Sequence, residues 1–166
     1  MAKRQSSFFA YNKHKALDII SIDMYNINRY DKRCQMYRYL AYISKKRDVE
    51  KFLDELHAFI NREDFDIAKD FFLNIAGDSK RERSFSIKYT MYKLGYDNVD
   101  IVEILKTLCV KEYSETKIDK DNTHPPLLFV FGKVIDGKEV YIKIKLRERA
   151  KRDIACISFH FAKNKM

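Results

Sequence analysis

In residues 140–147 apolar and polar side chains alternate strictly: Val140, Ile142, Ile144 and Leu146 against Tyr141, Lys143, Lys145 and Arg147. On an extended strand, where successive side chains point to opposite faces, the second set is a phenol followed by three cations. In residues 154–161, Ala155, Ile157, Phe159 and Phe161 fall on one side and Cys156, Ser158 and His160 on the other. If both apolar sides face one core, Tyr141, Lys143, Lys145, Arg147 and His160 share the outer side. Polar outer faces are ordinary on antiparallel sheets, but an uninterrupted Tyr-x-Lys-x-Lys-x-Arg row beside a histidine suits phosphoryl chemistry on RNA. Attack by a ribose 2′-hydroxyl needs a base for its proton, cations for the pentacovalent phosphorane and an acid for the leaving 5′-oxygen.

Tyr141 and His160 are therefore the expected proton-transfer residues, with Lys143, Lys145 and Arg147 stabilising phosphate. Lys133, Arg149, Lys151 and Arg152 would position the RNA backbone around them. Asp136, Glu139, Glu148 and Asp153 stand at strand ends or turns, so the clustered carboxylates of a two-metal nuclease are not expected on this face. His14, His57 and His124 form no metal-ligand spacing, and no glycine-rich phosphate loop exists among only four glycines. The expectation is metal-independent chemistry without a cofactor.

The elements that must hold these residues follow from periodicity. Val49, Phe52, Leu53, Leu56, Phe59 and Ile60 mark one face of a helix, with Asp48 placed to cap it. Further helices are expected over residues 65–75, ending at Gly77, then from a Ser84 cap to Leu94 with Gly95 as the stop, then from an Asn98 cap through Ile101, Val102, Leu105 and Leu108. Residues 111–124 read as a polar connection, and Pro125-Pro126 enforces extended backbone. From Leu127 the period becomes two: a strand over 127–134, a hairpin turn at Asp136-Gly137, a strand over 139–146, a mostly basic loop over 147–153 and a third strand over 154–161. Helices followed by an antiparallel meander make an α+β fold with the helices on one face of a small sheet.

The chain has 166 residues, one domain's worth, and with 46% hydrophobic and 14% aromatic residues it can bury a core. No stretch has the roughly 18 consecutive apolar residues of a membrane span, and Met1-Ala2-Lys3-Arg4 is not followed by a signal peptide's apolar region. A soluble cytoplasmic protein is expected. Cys34, Cys109 and Cys156 are an odd, widely spaced set that reads as reduced thiols. The net charge of +9 divides into +8 over residues 1–47, −5 over 48–125 and +6 over 126–166. Two basic ends around an acidic middle fit a phosphate-binding surface, although a membrane surface or an acidic protein would be served by the same charge. Residues 1–47 are also rich in tyrosine and interleaved with Lys and Arg, a mixture that suits base stacking or an aromatic-rich helix pair docked on the main domain. Residues 17–22 are a short apolar run, and residues 34–43 read as a helix. The expected organisation is a basic, tyrosine-rich extension over 1–47 and a main domain over 48–166.

Several segments of the main domain resemble one known family. Tyr92-Lys93-Leu94-Gly95-Tyr96, Glu112-Tyr113, Phe131-Gly132-Lys133, Glu139-Val140-Tyr141-Ile142-Lys143-Ile144-Lys145 and Cys156-Ile157-Ser158-Phe159-His160 follow in the order seen in the MqsR-like toxins of bacterial toxin–antitoxin systems. The resemblance covers about residues 49–166. It implies a RelE-like fold, metal-independent mRNA interferase activity and a cognate antitoxin as partner. Tyr141 matches the family's catalytic strand tyrosine, and Lys143 follows it in the same motif. Three departures are visible: His160 stands where the best-known members have a catalytic lysine, Ser114 where they have another, and residues 127–133 carry no counterpart of the active-site glutamine. The leading expectation is an mRNA interferase. A non-catalytic RNA- or ribosome-binding module, or a protein-interaction module for dimerisation or antitoxin capture, are the alternatives.

Overall fold

The computed structural model describes residues 41–76, 82–118, 126–148 and 152–163. The chain divides into two units, residues 1–37 and 38–166, and every described residue belongs to the second. The expected extension over 1–47 therefore lies outside the described residues up to 40. Its last residues already take part in the folded unit, because strand β1 (Ala41–Tyr42) pairs with a strand far along the chain. That strand replaces the end of the helix expected over 34–43.

Helix α1 (Lys46–Ile60) buries Val49, Phe52, Leu53, Leu56, Phe59 and Ile60, the six residues whose spacing marks its apolar face. It starts before the expected cap, so Asp48 lies in its first turn, where a carboxylate favours the positive end of the helix dipole. The segment expected as a second helix is only one turn, α2 (Ile67–Asp70), capped by Asp66, followed by strand β2 (Phe71–Leu73). Three consecutive apolar residues fit either periodicity, and pairing with a distant strand decides. Helix α3 (Ile87–Leu94) is capped by Ser86, not Ser84, and stops at Gly95, whose φ of 69° is the left-handed conformation that glycine adopts without strain. Helix α4 (Asn98–Lys106) is capped one residue earlier than expected, by Asp97, in a reciprocal capping box with Asp100.

Strand β3 (Tyr113–Lys117) runs through the stretch expected as a polar connection. Strands β4 (Leu128–Ile135), β5 (Lys138–Glu148) and β6 (Arg152–Phe161) form the meander. Its first turn is at Asp136 (φ 49°) and Gly137 (φ 73°), the two positive angles of a tight two-residue hairpin. The six strands lie in the order β1-β3-β4-β5-β6-β2, all neighbours antiparallel except β2 and β6, which are parallel. The architecture is α+β, with a sheet twice as wide as the three strands expected, and mixed.

Phe52 of α1 stacks on Phe129 of β4, with ring centroids 4.0 Å apart. Around that pair, Ile101, Val102 and Leu105 of α4 join Phe131, Val140, Ile142, Ile144, Leu146, Ile154, Cys156 and Phe159 in one buried cluster. Each such side chain contributes about 1.5–3 kcal/mol by leaving water. The alternation in β5 thus has the consequence expected of it: Val140, Ile142, Ile144 and Leu146 all face this core.

Candidate functional site

The antiparallel register of β5 and β6 sets Tyr141 directly opposite His160 and Lys143 opposite Ser158. All four point away from the core. The Tyr141 and His160 rings stack, with centroids 5.1 Å apart and 15° between planes. His160 Nδ1 lies 2.9 Å from the Phe161 carbonyl oxygen, which can only accept, so Nδ1 carries the proton. In the neutral ring Nε2 is then the basic nitrogen.

A residue outside the expected set completes this centre. Lys117 of β3 donates from Nζ to the Tyr141 hydroxyl at 3.4 Å and lies 5.7 Å from the centre of its ring. On β4, which separates the two strands, Lys117 is in register with Leu128 and Tyr141 with Gly132, so the contact runs diagonally across the sheet. Lys117 is anchored by Glu115, two residues earlier on the same face, at 2.7 Å. Burial alone would lower the Lys117 pKa, but the hydrogen bond that its ammonium donates to Glu115 and the nearby Tyr141 oxygen outweigh it and hold the ammonium above its usual range. Lys117 is therefore a cation at any physiological pH. The only trace of this strand in the sequence is Glu115 and Lys117 alternating with Thr116 and Ile118.

One irregularity redraws the expected face. Lys143 pairs with Ser158 but Ile144 with Cys156, so Ile157 is an extra residue, a bulge, and the faces of β6 exchange beyond it. Cys156 and Ile154 turn into the core, while Ala155 and Asp153 turn to the Tyr141 side, the reverse of the strict alternation expected for this strand. Arg147, expected in a loop, is still in β5 and opposes Asp153. Its Nε and Nη2 hydrogen-bond both carboxylate oxygens, at 2.7 and 2.6 Å, and its guanidinium covers the Phe72 ring at 4.9 Å. Its charge is already neutralised by a planar bidentate partner. Lys145, opposite Ala155, is only 8% exposed. Val130, Ala155 and Ser158 on this face are almost fully buried too, so the outer side that Tyr141 shares is largely covered along this stretch.

The expected backbone-positioning residues are dispersed. Lys133 lies in register with Val140, on the core side, where it pairs with Glu112 at 2.5 Å and donates to the Thr107 carbonyl. Arg152 pairs with Glu55 of α1 at 2.6 Å and lies near the Phe59 ring. Both cations serve as ties between elements and are turned away from Tyr141, because the pleat and the bulge assign them to the other face. Arg149 and Lys151 lie outside the described residues. His57 Nε2 lies 3.2 Å from the Leu105 carbonyl oxygen, which can only accept, so Nε2 is the donor of this helix-to-helix contact.

Glu115, Glu139 and Asp153 share the Tyr141 side by register. Glu115 and Asp153 are engaged by Lys117 and Arg147, and among the described residues no three His, Cys, Asp or Glu side chains converge as metal ligands. No described helix is long and apolar enough to cross a membrane.

Fold and site together define an α+β domain with a tyrosine–histidine pair among lysines on one face of a mixed six-stranded sheet. No family model, no curated protein and no solved structure matches the chain.

Proposed function

We propose that this chain is a metal-independent endoribonuclease that cleaves mRNA through the ribose 2′-hydroxyl, acting as the toxin of a toxin–antitoxin pair with a RelE-like fold. The observation that carries the reading is the stacked Tyr141–His160 pair with Lys117 bonded to the tyrosine oxygen. The resemblance of residues 49–166 to MqsR-like toxins supplies the toxin and antitoxin parts of the proposal.

In this mechanism His160 Nε2 takes the 2′-hydroxyl proton as the 2′-oxygen bonds to phosphorus. The Tyr141 hydroxyl gives its proton to the 5′-oxygen as the P–O5′ bond breaks, leaving a 2′,3′-cyclic phosphate and a 5′-hydroxyl. The proton on His160 then returns to the tyrosinate. Lys117 accepts nothing and donates to the Tyr141 oxygen, so it orients the phenol and offsets the charge that develops there. Lys143, next along β5 on the same face, is the cation placed for the phosphorane oxygens. His160 and Lys117 occupy the roles that the departures at positions 160 and 114 leave open.

Purified protein incubated with a long single-stranded RNA in EDTA tests this, with wild type beside Tyr141→Phe and product ends mapped. Wild-type cleavage leaving cyclic phosphate ends, lost in the variant, supports the proposal. RNA binding without cleavage, unchanged when ribosomes are added, rejects it in favour of a binding module.

A further inference from the structure

A second surface combines aromatic rings with cations, and none of it belongs to the Tyr141 side. It is built on α3, the turn of helix at Arg83–Phe85 that precedes it, and the end of β6. Helix α3 buries Ile87 and Thr90, which leaves Lys88, Tyr89, Tyr92 and Lys93 on its outer side. Tyr92 is 80% exposed, the most exposed of the large apolar side chains among the described residues. Lys93 Nζ lies 5.7 Å from the centre of the Tyr89 ring and 6.0 Å from that of Tyr92. Tyr89 meets Phe161 edge-on at 6.4 Å, Lys138 Nζ lies 5.1 Å over the Phe161 ring, and Lys163 Nζ lies 5.5 Å over Phe85. The platform is held in place, since the Phe161 backbone N–H donates to Thr90 Oγ1 at 3.0 Å.

Two features single out what this surface fits. Among the described residues neither Lys93 nor Lys138 has a carboxylate within ion-pair distance, and Lys163 has only Glu82 at 3.9 Å, so these cations keep their charge for an outside anion. Each also sits beside a ring face. A base stacks on any exposed π-face while a neighbouring ammonium meets its phosphate, which is how proteins hold single strands without reading sequence. A duplex offers no free base face, and an acidic peptide would use the lysines but leave the exposed Tyr92 ring without a planar partner.

We propose that this surface binds single-stranded RNA, with a base stacked on Tyr92 and phosphates met by Lys93 and Lys138. Phe161 adjoins His160 in β6 but faces the other way, so a strand reaching both sites passes around the end of β6. The proposal rests on the reading that this chain acts on RNA, and it names single-stranded RNA as the substrate form.

The test is fluorescence anisotropy of the full chain with a fluorescein-labelled oligouridylate dodecamer at several salt concentrations. A blunt RNA duplex of equal length and polyglutamate serve as competitors. Tyr92→Ala is expected to weaken binding about tenfold, Tyr92→Phe to bind like wild type, and Lys93→Ala or Lys138→Ala to weaken binding and reduce its salt dependence. Unchanged affinity in Tyr92→Ala overturns the proposal, as does duplex binding equal to single-strand binding, preferential binding of polyglutamate, or no binding of the dodecamer by wild type. Wild type that binds through Tyr92 yet never cleaves rejects the nuclease reading and leaves this surface standing; cleavage with normal affinity in Tyr92→Ala does the reverse.

Discussion

The Tyr141 and His160 rings lie face to face, 5.1 Å apart, because the two residues are direct cross-strand partners in β5 and β6. Stacking needs only two flat rings, whereas proton transfer needs the imidazole nitrogen. His160→Phe should therefore keep the stack and the melting temperature within a few degrees while abolishing RNA cleavage. Thermal unfolding and product mapping on one preparation check both halves; a cleaving variant would exclude His160 from the chemistry.

Lys117 yields a prediction in pH. Its pKa is raised in the fold, so the stabilisation from its ion pair is fully present below the usual 10.5 of a lysine and is lost only as pH rises through the higher folded value. Across about pH 6 to 9 the charge does not change, well below the ordinary lysine range. Lys117→Met should lower kcat more than it raises KM, by a factor that stays constant over that range, and Lys117→Arg should restore part of the loss. A loss confined to one end of the profile would contradict this assignment.

Arg147 is expected to act through stability. It and Asp153 are both mostly buried and share two hydrogen bonds, so a double-mutant cycle in urea should give a coupling of about 1.5–3 kcal/mol. Arg147→Ala should leave RNA affinity nearly unchanged once only folded protein is counted. An affinity loss as large as that of a Lys93 variant would return Arg147 to the phosphate-binding set.

Thr116 ties the first strand to the sheet. Its hydroxyl lies 2.7 Å from Ser44 Oγ and 2.8 Å from the Tyr113 hydroxyl, which itself accepts from the Ser44 N–H. Thr116→Val keeps the shape and removes the shared partner, so it should cost about 1–3 kcal/mol in chemical denaturation. Phe52→Ala, which empties the space over Phe129, should cost about 3–5 kcal/mol. The order of those two losses is the measurable outcome.

Much of the architecture was legible before any coordinates. The helical spacing from Val49 to Ile60, the left-handed stop at Gly95, the Asp136-Gly137 hairpin and the alternation of β5 are local patterns, and each appears where its periodicity or turn chemistry demands. Local patterns do not report pairing with distant strands. β1, β2 and β3 are two, three and five residues long, too short to reveal a period, and they exist because other strands offer them hydrogen bonds.

The sequence by itself determined that Tyr141 and Lys143 face away from a core and, through the spacing of Ser158 and His160, that these can meet them across two strands. Which charges stay available was decided by the tertiary structure. A single bulge at Ile157 brings Asp153 to Arg147, the pleat turns Lys133 towards Glu112, and strand pairing carries Lys117 to Tyr141. Alternation is a property of one strand, whereas a cation's partner depends on register between strands, and one inserted residue exchanges every face beyond it.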